Sequence, residues 1–184
     1  FSLTIHGSDI FYDEPGNLLA EKVDKALFVR CISHYSRCQV MRHTPFEQWP
    51  KLHIVRCGVD TSVFDMRALP ENHVTEIVCV GRLIVAKGIF VLLQAGRALH
   101  EQGEKFHITL VGGGPEQAAI EAAATRLGIR ELVTITGPVG QDAVHGYLNR
   151  ADIMVQPSFA EGVPVVLMEA MAKAMLCKPE AQKR

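Results

Sequence analysis

The sequence of 184 residues lacks the features that mark several protein classes. Its five cysteines include no C-x-x-C pair and are odd in number, so we expect free thiols in a reducing cytosol. Its eight histidines are scattered without the spacing of metal ligands, and we expect no structural metal. A formal net charge of -1 gives no basic excess for binding nucleic acid. No apolar run reaches the roughly 18 residues of a membrane-spanning helix.

Two glycine-containing segments also fall short of the common phosphate-binding patterns. The segment from Gly81 to Gly88 reads G-R-L-I-V-A-K-G; its glycine and lysine stand in the reverse order of a Walker loop, and no Ser or Thr follows. The segment from Gly112 reads G-G-G-P-E-Q, with Gln117 where a dinucleotide fingerprint has its third glycine. The sequence therefore disfavours a nicotinamide cofactor. A tight turn explains the second segment without a ligand, and close backbone approach to a ligand is the alternative.

What is present is the composition of an ordinary globular protein, with 48% hydrophobic and 21% charged residues. Short apolar runs, each followed by a Gly or Pro turn signal, alternate with helical patterns. The runs lie at 76–81, 106–112, 132–136 and 152–156, and the helical patterns at 87–102, 115–127, 140–150 and 164–176. This alternation predicts an α/β fold, a parallel sheet with helices on both faces.

The first sixty residues show the same alternation more weakly. Strands are predicted at 1–5, 28–33 and 52–56, with helices at 16–29 and 34–43. The segment from Asp65 to Val74 is polar and breaks the periodicity, which is typical of a domain boundary. We therefore predict a first domain over 1–64, a linker over 65–75 and a second domain over 76–184.

Candidate binding residues follow the predicted strands. Ligands of open parallel sheets bind outside the carboxyl ends of the strands, so segments that follow different strands meet at one edge. The segments are Gly81 with Arg82, Gly112 to Pro115, Gly137 to Val139, and Pro157 to Glu161. Arg82 and Lys87 share one loop, and a forked guanidinium with a compact ammonium suits a diphosphate. Two solvated cations beside a strand-to-helix turn are the alternative.

Glu161 and Glu169 bracket the stretch E-G-V-P-V-V-L-M-E. Pro164 fits the first position of a helix, and Glu169 would lie more than a turn inside it. Two carboxylates and the free N–H groups of a helix N-terminus suit a ligand with hydroxyls at both ends and an anion in the middle, which is the shape of a nucleotide-sugar. The apolar residues around Glu169 predict a buried helix. Alternatively, Glu169 forms a surface ion pair with Lys173, four residues on.

Together, these segments resemble family 4 of the retaining glycosyltransferases, which have the GT-B fold of two Rossmann-like domains. The resemblance rests on H-G-S-D after His6, R-C-G-V-D, G-R-L-I-V-A-K-G, V-G-G-G-P, T-G-P-V, A-D-I-M-V-Q-P-S and E-G-V-P-V-V-L-M-E-A-M-A, in that order. The family's N-terminal half is missing, and after Ala172 a lysine replaces its usual Gly-x-Pro turn. We therefore expect a fragment in which both doubly wound domains are incomplete.

The resemblance implies a role for each candidate residue. Arg82 and Lys87 would hold the donor diphosphate, and Glu169 would bind the nucleotide ribose. Glu161 would form hydrogen bonds with hydroxyls of the transferred sugar. His6 would face the same sugar from the other domain. The alternative for His6 is a structural hydrogen bond. Backbone contacts would come from Gly81, Gly162, Val163, Pro164 and Val165 on the phosphate and sugar, and from Gly137, Pro138 and Val139 beside the base.

The implied reaction moves a hexosyl group from a nucleoside-diphosphate sugar to an acceptor hydroxyl with retention, in polysaccharide or glycolipid biosynthesis. The acceptor would be a sugar or a lipid-linked molecule. The resemblance implies no cofactor and no metal, and a cytoplasmic enzyme whose N-terminal part contacts the inner face of the membrane. A nucleotide-sugar epimerase of the same architecture is one alternative, and a non-catalytic fragment that binds nucleotide is another.

Overall fold

The computed structural model describes residues 1–6, 18–61 and 74–175. The chain divides into two compact units. The first is formed by Phe1–Val59 with Ala160–Val165, and the second by Asp60–Phe159 with Val166–Arg184. Most of the predicted linker at 65–75 lies outside the described residues. No helix within the described ranges has the length and apolar character needed to cross a membrane.

In the residues that the structure describes, the first unit is a small parallel sheet with two helices. Strands β1, β2 and β3 pair side by side in chain order, and Val29 of β2 lies opposite Leu3 of β1 and Leu52 of β3. The elements are β1 (Leu3–Ile5), α1 (Leu19–Lys25), β2 (Val29–Cys31), α2 (His34–Arg42) and β3 (Leu52–Ile54), with a 3₁₀ turn at Phe46–Lys51. The predicted order is confirmed, with shorter strands.

The second unit holds a four-stranded parallel sheet. Its strands are β4 (Thr75–Val80), β5 (Phe106–Val111), β6 (Val133–Ile135) and β7 (Ile153–Met154). Its helices are α3 (Ile89–Glu101), α4 (Gln117–Arg126), α5 (Gln141–Arg150) and α6 (Val165–Met175). Each predicted strand and helix is present within a few residues of its predicted bounds.

The two faces of this sheet are covered by different helices. Ile77 and Cys79 of β4 belong to a buried cluster with residues of α3 and α4. Val78, between them in sequence, belongs to a second cluster with residues of α5 and α6. Successive side chains of a strand point to opposite faces, so the alternation along β4 assigns one helix pair to each face. The predicted sheet with helices on both faces is confirmed.

The strand order β6-β5-β4-β7 reverses direction next to β4. From β4 the chain moves outward through β5 to β6, and it then crosses back so that β7 pairs with the other side of β4. Such a reversal opens a crevice outside the carboxyl ends of the two strands that flank it. The ends of β4 and β7 therefore mark the expected position of a ligand in the second unit.

Candidate functional site

The loops after β4 and β5 approach each other through their backbones. Gly112 has φ +136°, and a Cβ at this position would lie 2.2 Å from the carbonyl oxygen of Gly81. A Cβ on Gly114 would lie 2.4 Å from the carbonyl oxygen of Leu83. The backbone N–H of Leu83 also donates to the carbonyl of Gly113 at 3.0 Å. The glycine triplet is therefore explained by contact between two loops of the protein itself.

The loop after β6 lies against the same glycines. Gly112 forms an isolated antiparallel bridge with Gly137, and its N–H donates to Oγ1 of Thr136 at 3.2 Å. A Cβ on Gly113 would lie 2.8 Å from Cδ of Pro138. These contacts place Gly137 and Pro138, two of the residues predicted beside the base, next to the glycine triplet.

The loop after β7 is bound to the segment that leads into α3. Gly88 has φ +64°, and a Cβ there would lie 2.1 Å from the carbonyl oxygen of Pro157. The N–H of Phe159 donates to the carbonyl of Ala86 at 2.9 Å. The segments that follow β4, β5, β6 and β7 therefore meet at one edge of the sheet, as the sequence pattern predicts.

Arg82 and Lys87 both lie at the carboxyl end of β4. Arg82 is exposed and follows the strand by two residues. Lys87 ends a 3₁₀ turn at Val85–Lys87, and its Cε lies 3.6 Å from the point where a Cβ of Gly81 would stand. The aliphatic part of Lys87 thus passes over the end of the strand. The structure places both cations beside the strand-order reversal, and their binding of a diphosphate stays a prediction.

Glu169 is buried and is contacted from a neighbouring helix. Its side chain lies on α6 with 5% of the residue exposed. Nε2 of Gln141 donates to its Oε1 at 2.9 Å, and Nε2 of His145 lies 3.7 Å from the same oxygen. The ammonium of Lys173 donates to the carbonyl of His145 at 3.1 Å and to Oδ1 of Asn149. The alternative of a surface ion pair is wrong, because the carboxylate of Glu169 is not at the surface.

The burial of α6 differs from the sequence prediction. Val165 and Met171 are 39% and 52% exposed, and Glu169 is the one fully buried residue among those of the helix whose exposure is described. Val166 and Ala170 pack on the sheet cluster that includes Val78. The predicted buried helix is therefore only partly buried: most of its described residues are half-buried, and Val165 and Met171 are exposed. Helix α6 begins at Val165, so Pro164 lies one residue before the helix and not at its first position, where we predicted it.

Val139 lies in the second unit and packs against the cluster that includes Val78. The other predicted residues lie in the first unit. His6 is exposed and directly follows β1. Glu161 is half-buried in the segment Ala160–Val165, which groups with the first unit. Within that segment Gly162, Val163 and Pro164 are half-buried as well. The roles of His6 and Glu161 toward a sugar stay predictions.

Sequence reasoning did not identify the two side chains that approach Glu169. Gln141 and His145 stand four residues apart on α5, a spacing that puts both on one face of a helix. That spacing is visible in the sequence as Q-D-A-V-H, but their partner follows 28 residues after Gln141 on another helix. Only the packing of α5 and α6 on the same face of the sheet brings the three together. Within the described parts of the chain, no three His, Cys, Asp or Glu residues gather as metal ligands.

Comparison with solved structures shows the same fold in glycosyltransferases. An Anabaena protein, Alr3699/HepE, solved with UDP and glucose, matches with a TM-score of 0.77 and 20% identity, over 96% of this chain and 50% of that one. Staphylococcus aureus TarM, solved as a mutant in complex with fondaparinux, α-GlcNAc-glycerol and UDP, matches with a TM-score of 0.73 and 15% identity, over 94% and 35%. The predicted GT-B type of fold is confirmed.

Sequence comparison finds curated relatives among bacterial glycosyltransferases. The amylovoran biosynthesis glycosyltransferase AmsK of Erwinia amylovora is 33% identical over 129 residues, which cover 66% of this chain and 32% of that protein. The putative teichuronic acid biosynthesis glycosyltransferase TuaC of Bacillus subtilis is 29% identical over 187 residues, covering 94% and 44%. The chain spans about a third of the length of the first relatives it matches. The family model of glycosyl transferases group 1 matches residues 74–177, more than half of the chain, and the chain belongs to that family.

Proposed function

We propose that the whole protein containing this chain transfers a hexosyl group from a nucleoside-diphosphate sugar to an acceptor hydroxyl, with retention, in polysaccharide biosynthesis. The observation that carries the proposal is the position of Arg82 and Lys87 at the carboxyl end of β4, beside the reversal of strand order. Relatives named for amylovoran and teichuronic acid biosynthesis support the polysaccharide assignment. Similar folds solved with UDP support the nucleotide donor.

The proposed chemistry depends on stabilising a leaving diphosphate. As the bond between sugar and phosphate breaks, negative charge grows on the phosphate oxygens, and fixed cations nearby lower the energy of that state. Arg82 and Lys87 supply two positive charges, and the N-terminus of α6 adds the positive end of a helix dipole. We propose that these groups make a metal ion unnecessary. Glu161 would orient the sugar while the acceptor attacks from the face that the diphosphate leaves.

Glu169 would bind the ribose of the donor nucleotide. A carboxylate accepts hydrogen bonds from a pair of neighbouring hydroxyls, and burial strengthens such bonds because water competes less for the charge. Gly137, Pro138 and Val139, which lie before Gly140 at the start of α5, would lie beside the base. We further propose a cytoplasmic enzyme that reaches a sugar or lipid-linked acceptor at the membrane through its N-terminal part.

Calorimetry and a product assay together test the proposal. The whole protein is titrated with UDP, GDP and ADP, and it is then incubated with the corresponding glucose donor and an oligosaccharide acceptor. We expect one nucleoside diphosphate to bind and the sugar to appear on the acceptor with its anomeric configuration kept. Conversion of the donor sugar to its epimer without transfer would identify an epimerase. Absence of binding by all three nucleotides would contradict the proposal.

A further inference from the structure

The carboxylate of Glu169 is held from α5 through a single oxygen. The amide of Gln141, the first residue of α5, donates to Oε1 at 2.9 Å, and Nε2 of His145 lies 3.7 Å from that same atom. Both of these contacts fall on Oε1. Among the described residues, Oε2 is therefore the oxygen that a ligand donor would meet. Glu169 is 5% exposed, whereas the side chain that donates to it comes from an exposed residue at the beginning of a helix.

A buried carboxylate requires hydrogen-bond partners, and the kind of partner determines what it can still do. An amide donor is uncharged, so Gln141 satisfies one oxygen of Glu169 without itself forming an ion pair. A flexible Glu side chain that is already fixed by a hydrogen bond also loses less conformational freedom when a ligand binds. Gln141 therefore has the chemistry of a group that orients Glu169 in advance.

The position of Gln141 in the chain adds a second connection. It follows Val139 by two residues, and the segment from Gly137 to Val139 is the one that we place beside the base of the nucleotide. The beginning of α5 therefore connects two parts of the proposed site: it follows the segment Gly137 to Val139 in the chain, and through Gln141 it contacts the carboxylate of Glu169 on α6. A nucleotide that contacts this segment meets Gln141 on the same short stretch of backbone.

We propose that Gln141 is the positioning residue for Glu169, holding Oε1 so that Oε2 meets the ribose hydroxyls of a nucleoside diphosphate. The inference rests on the proposed function, because it concerns the same nucleotide. A purely structural role, in which Gln141 only joins α5 to α6, would affect folding but would not distinguish nucleotides with ribose hydroxyls from those without them.

The test compares UDP with 2′,3′-dideoxy-UDP in calorimetry on the whole protein, with GDP or ADP and its dideoxy form used instead if that is the base the wild type binds. Gln141→Met keeps the length of the side chain and removes the donor. Gln117→Met is the matched control, because Gln117 is also the first residue of a helix and donates to Glu121 of its own helix at 3.4 Å. Thermal melting of each variant confirms that it is folded.

We expect Gln141→Met to weaken binding of UDP by about fivefold or more, the usual effect of losing a hydrogen bond to a charged group. Binding of the dideoxy nucleotide should change by less than about twofold, and Gln117→Met should change neither. Gln141→Glu should weaken UDP binding further than Gln141→Met, since a second carboxylate would face Oε1. In the Glu169→Gln background, Gln141→Met should add little, because two residues that act as a unit are not additive.

The outcomes separate the positioning role from the proposed function. If Glu169→Gln weakens UDP binding while Gln141→Met leaves it unchanged, the positioning role is overturned and the proposed function stands. Equal weakening of UDP and its dideoxy form by Gln141→Met would overturn the role as well, and it would identify a structural contact. If the wild type binds none of the three nucleotides, both the proposed function and the positioning role are overturned. If Gln141→Met does not fold, Gln141→Glu gives the same comparison of UDP with its dideoxy form.

Discussion

The carbonyl oxygen of Gly81 lies where a side chain at Gly112 would have to stand, 2.2 Å from an ideal Cβ. Gly112 also has φ +136°, a conformation that L-residues rarely adopt. Backbone atoms of two strand ends are thus in direct contact, and neither can move away without breaking the pairing of β4 with β5. The loops at the carboxyl edge of the sheet are held together by this contact.

The same substitution at two glycines should therefore change stability in opposite directions. Gly112→Ala should lower the free energy of unfolding by about 2 kcal/mol or more, from backbone strain and overpacking combined. Gly146 lies inside α5, where a Cβ would meet only Nη1 of Arg150 at 3.8 Å. Gly146→Ala should raise the free energy of unfolding by roughly 0.5 to 1 kcal/mol, because alanine favours the helix. Urea unfolding of both variants measures this, and a neutral Gly112→Ala would contradict the tight contact.

Lys87 should matter for turnover through its charge. If it stabilises the leaving diphosphate, Lys87→Ala in the whole protein should lower kcat by on the order of 100-fold, as loss of a charge-stabilising group does. Lys105→Ala is the control, since Lys105 is exposed just before the amino end of β5, at the opposite edge of the sheet. Initial rates with saturating donor give the comparison. Equal rates for Lys87→Ala and wild type would show that Lys87 is a surface cation with no role in turnover.

Removal of divalent metal should leave the reaction intact. Two fixed cations and a helix N-terminus would supply the charge that a metal supplies elsewhere, so turnover in excess EDTA should equal turnover in Mg²⁺ within about twofold. The measurement is an initial rate after exhaustive dialysis against chelator. A rate that disappears with EDTA and returns with Mg²⁺ or Mn²⁺ would show that Arg82 and Lys87 are insufficient.

The cysteines should differ in reactivity according to burial. Burial raises the pKa of the Cys31 thiol, an effect that the positive charge of Arg37 partly offsets. Cys38 is exposed on α2. At pH 8 a thiol reagent should therefore modify Cys38 quickly and Cys31 only after unfolding, because the thiolate is the reactive form. Mass spectrometry of the labelled peptides shows which cysteine is modified first. Modification of Cys31 before unfolding would contradict its burial.

The raised pKa of the Cys31 thiol also predicts how the free energy of unfolding changes with pH. The folded chain holds the Cys31 proton more tightly than the unfolded chain. The stabilising contribution of Cys31 to the free energy of unfolding is therefore fully present below the ordinary pKa of a thiol. That contribution is lost as pH rises through the ordinary value toward the raised one. Cys31→Ser removes the titrating thiol and should flatten this part of the stability profile. A profile between pH 8 and 10 that is identical in both proteins would contradict the assignment.

The sequence predicts the strands and helices of the second unit, and the sheet edge at which the loops after its strands meet. These features depend on local periodicity and turn residues. It does not predict which strand flanks β4 at the reversal, since that pairing is set by the crossing of α5 over the sheet. It also misses the contact of Gln141 with Glu169. That contact depends on how two helices rotate as they pack, which no spacing along the chain encodes. Similarly, α6 exposes the apolar residues Val165 and Met171, so composition overstates the burial of this helix.

The affinity of the whole protein for a nucleoside diphosphate, measured in Glu169→Gln and Glu161→Gln, tests the proposed assignment most directly. Because the ribose is present in the free nucleotide and the transferred sugar is not, Glu169→Gln should weaken UDP, GDP or ADP binding by about tenfold or more. Glu161→Gln should leave that affinity within about twofold of wild type and lower turnover instead. Equal losses of nucleotide affinity in the two variants, or no loss in either, would contradict the assignment of Glu169 to the ribose and Glu161 to the sugar.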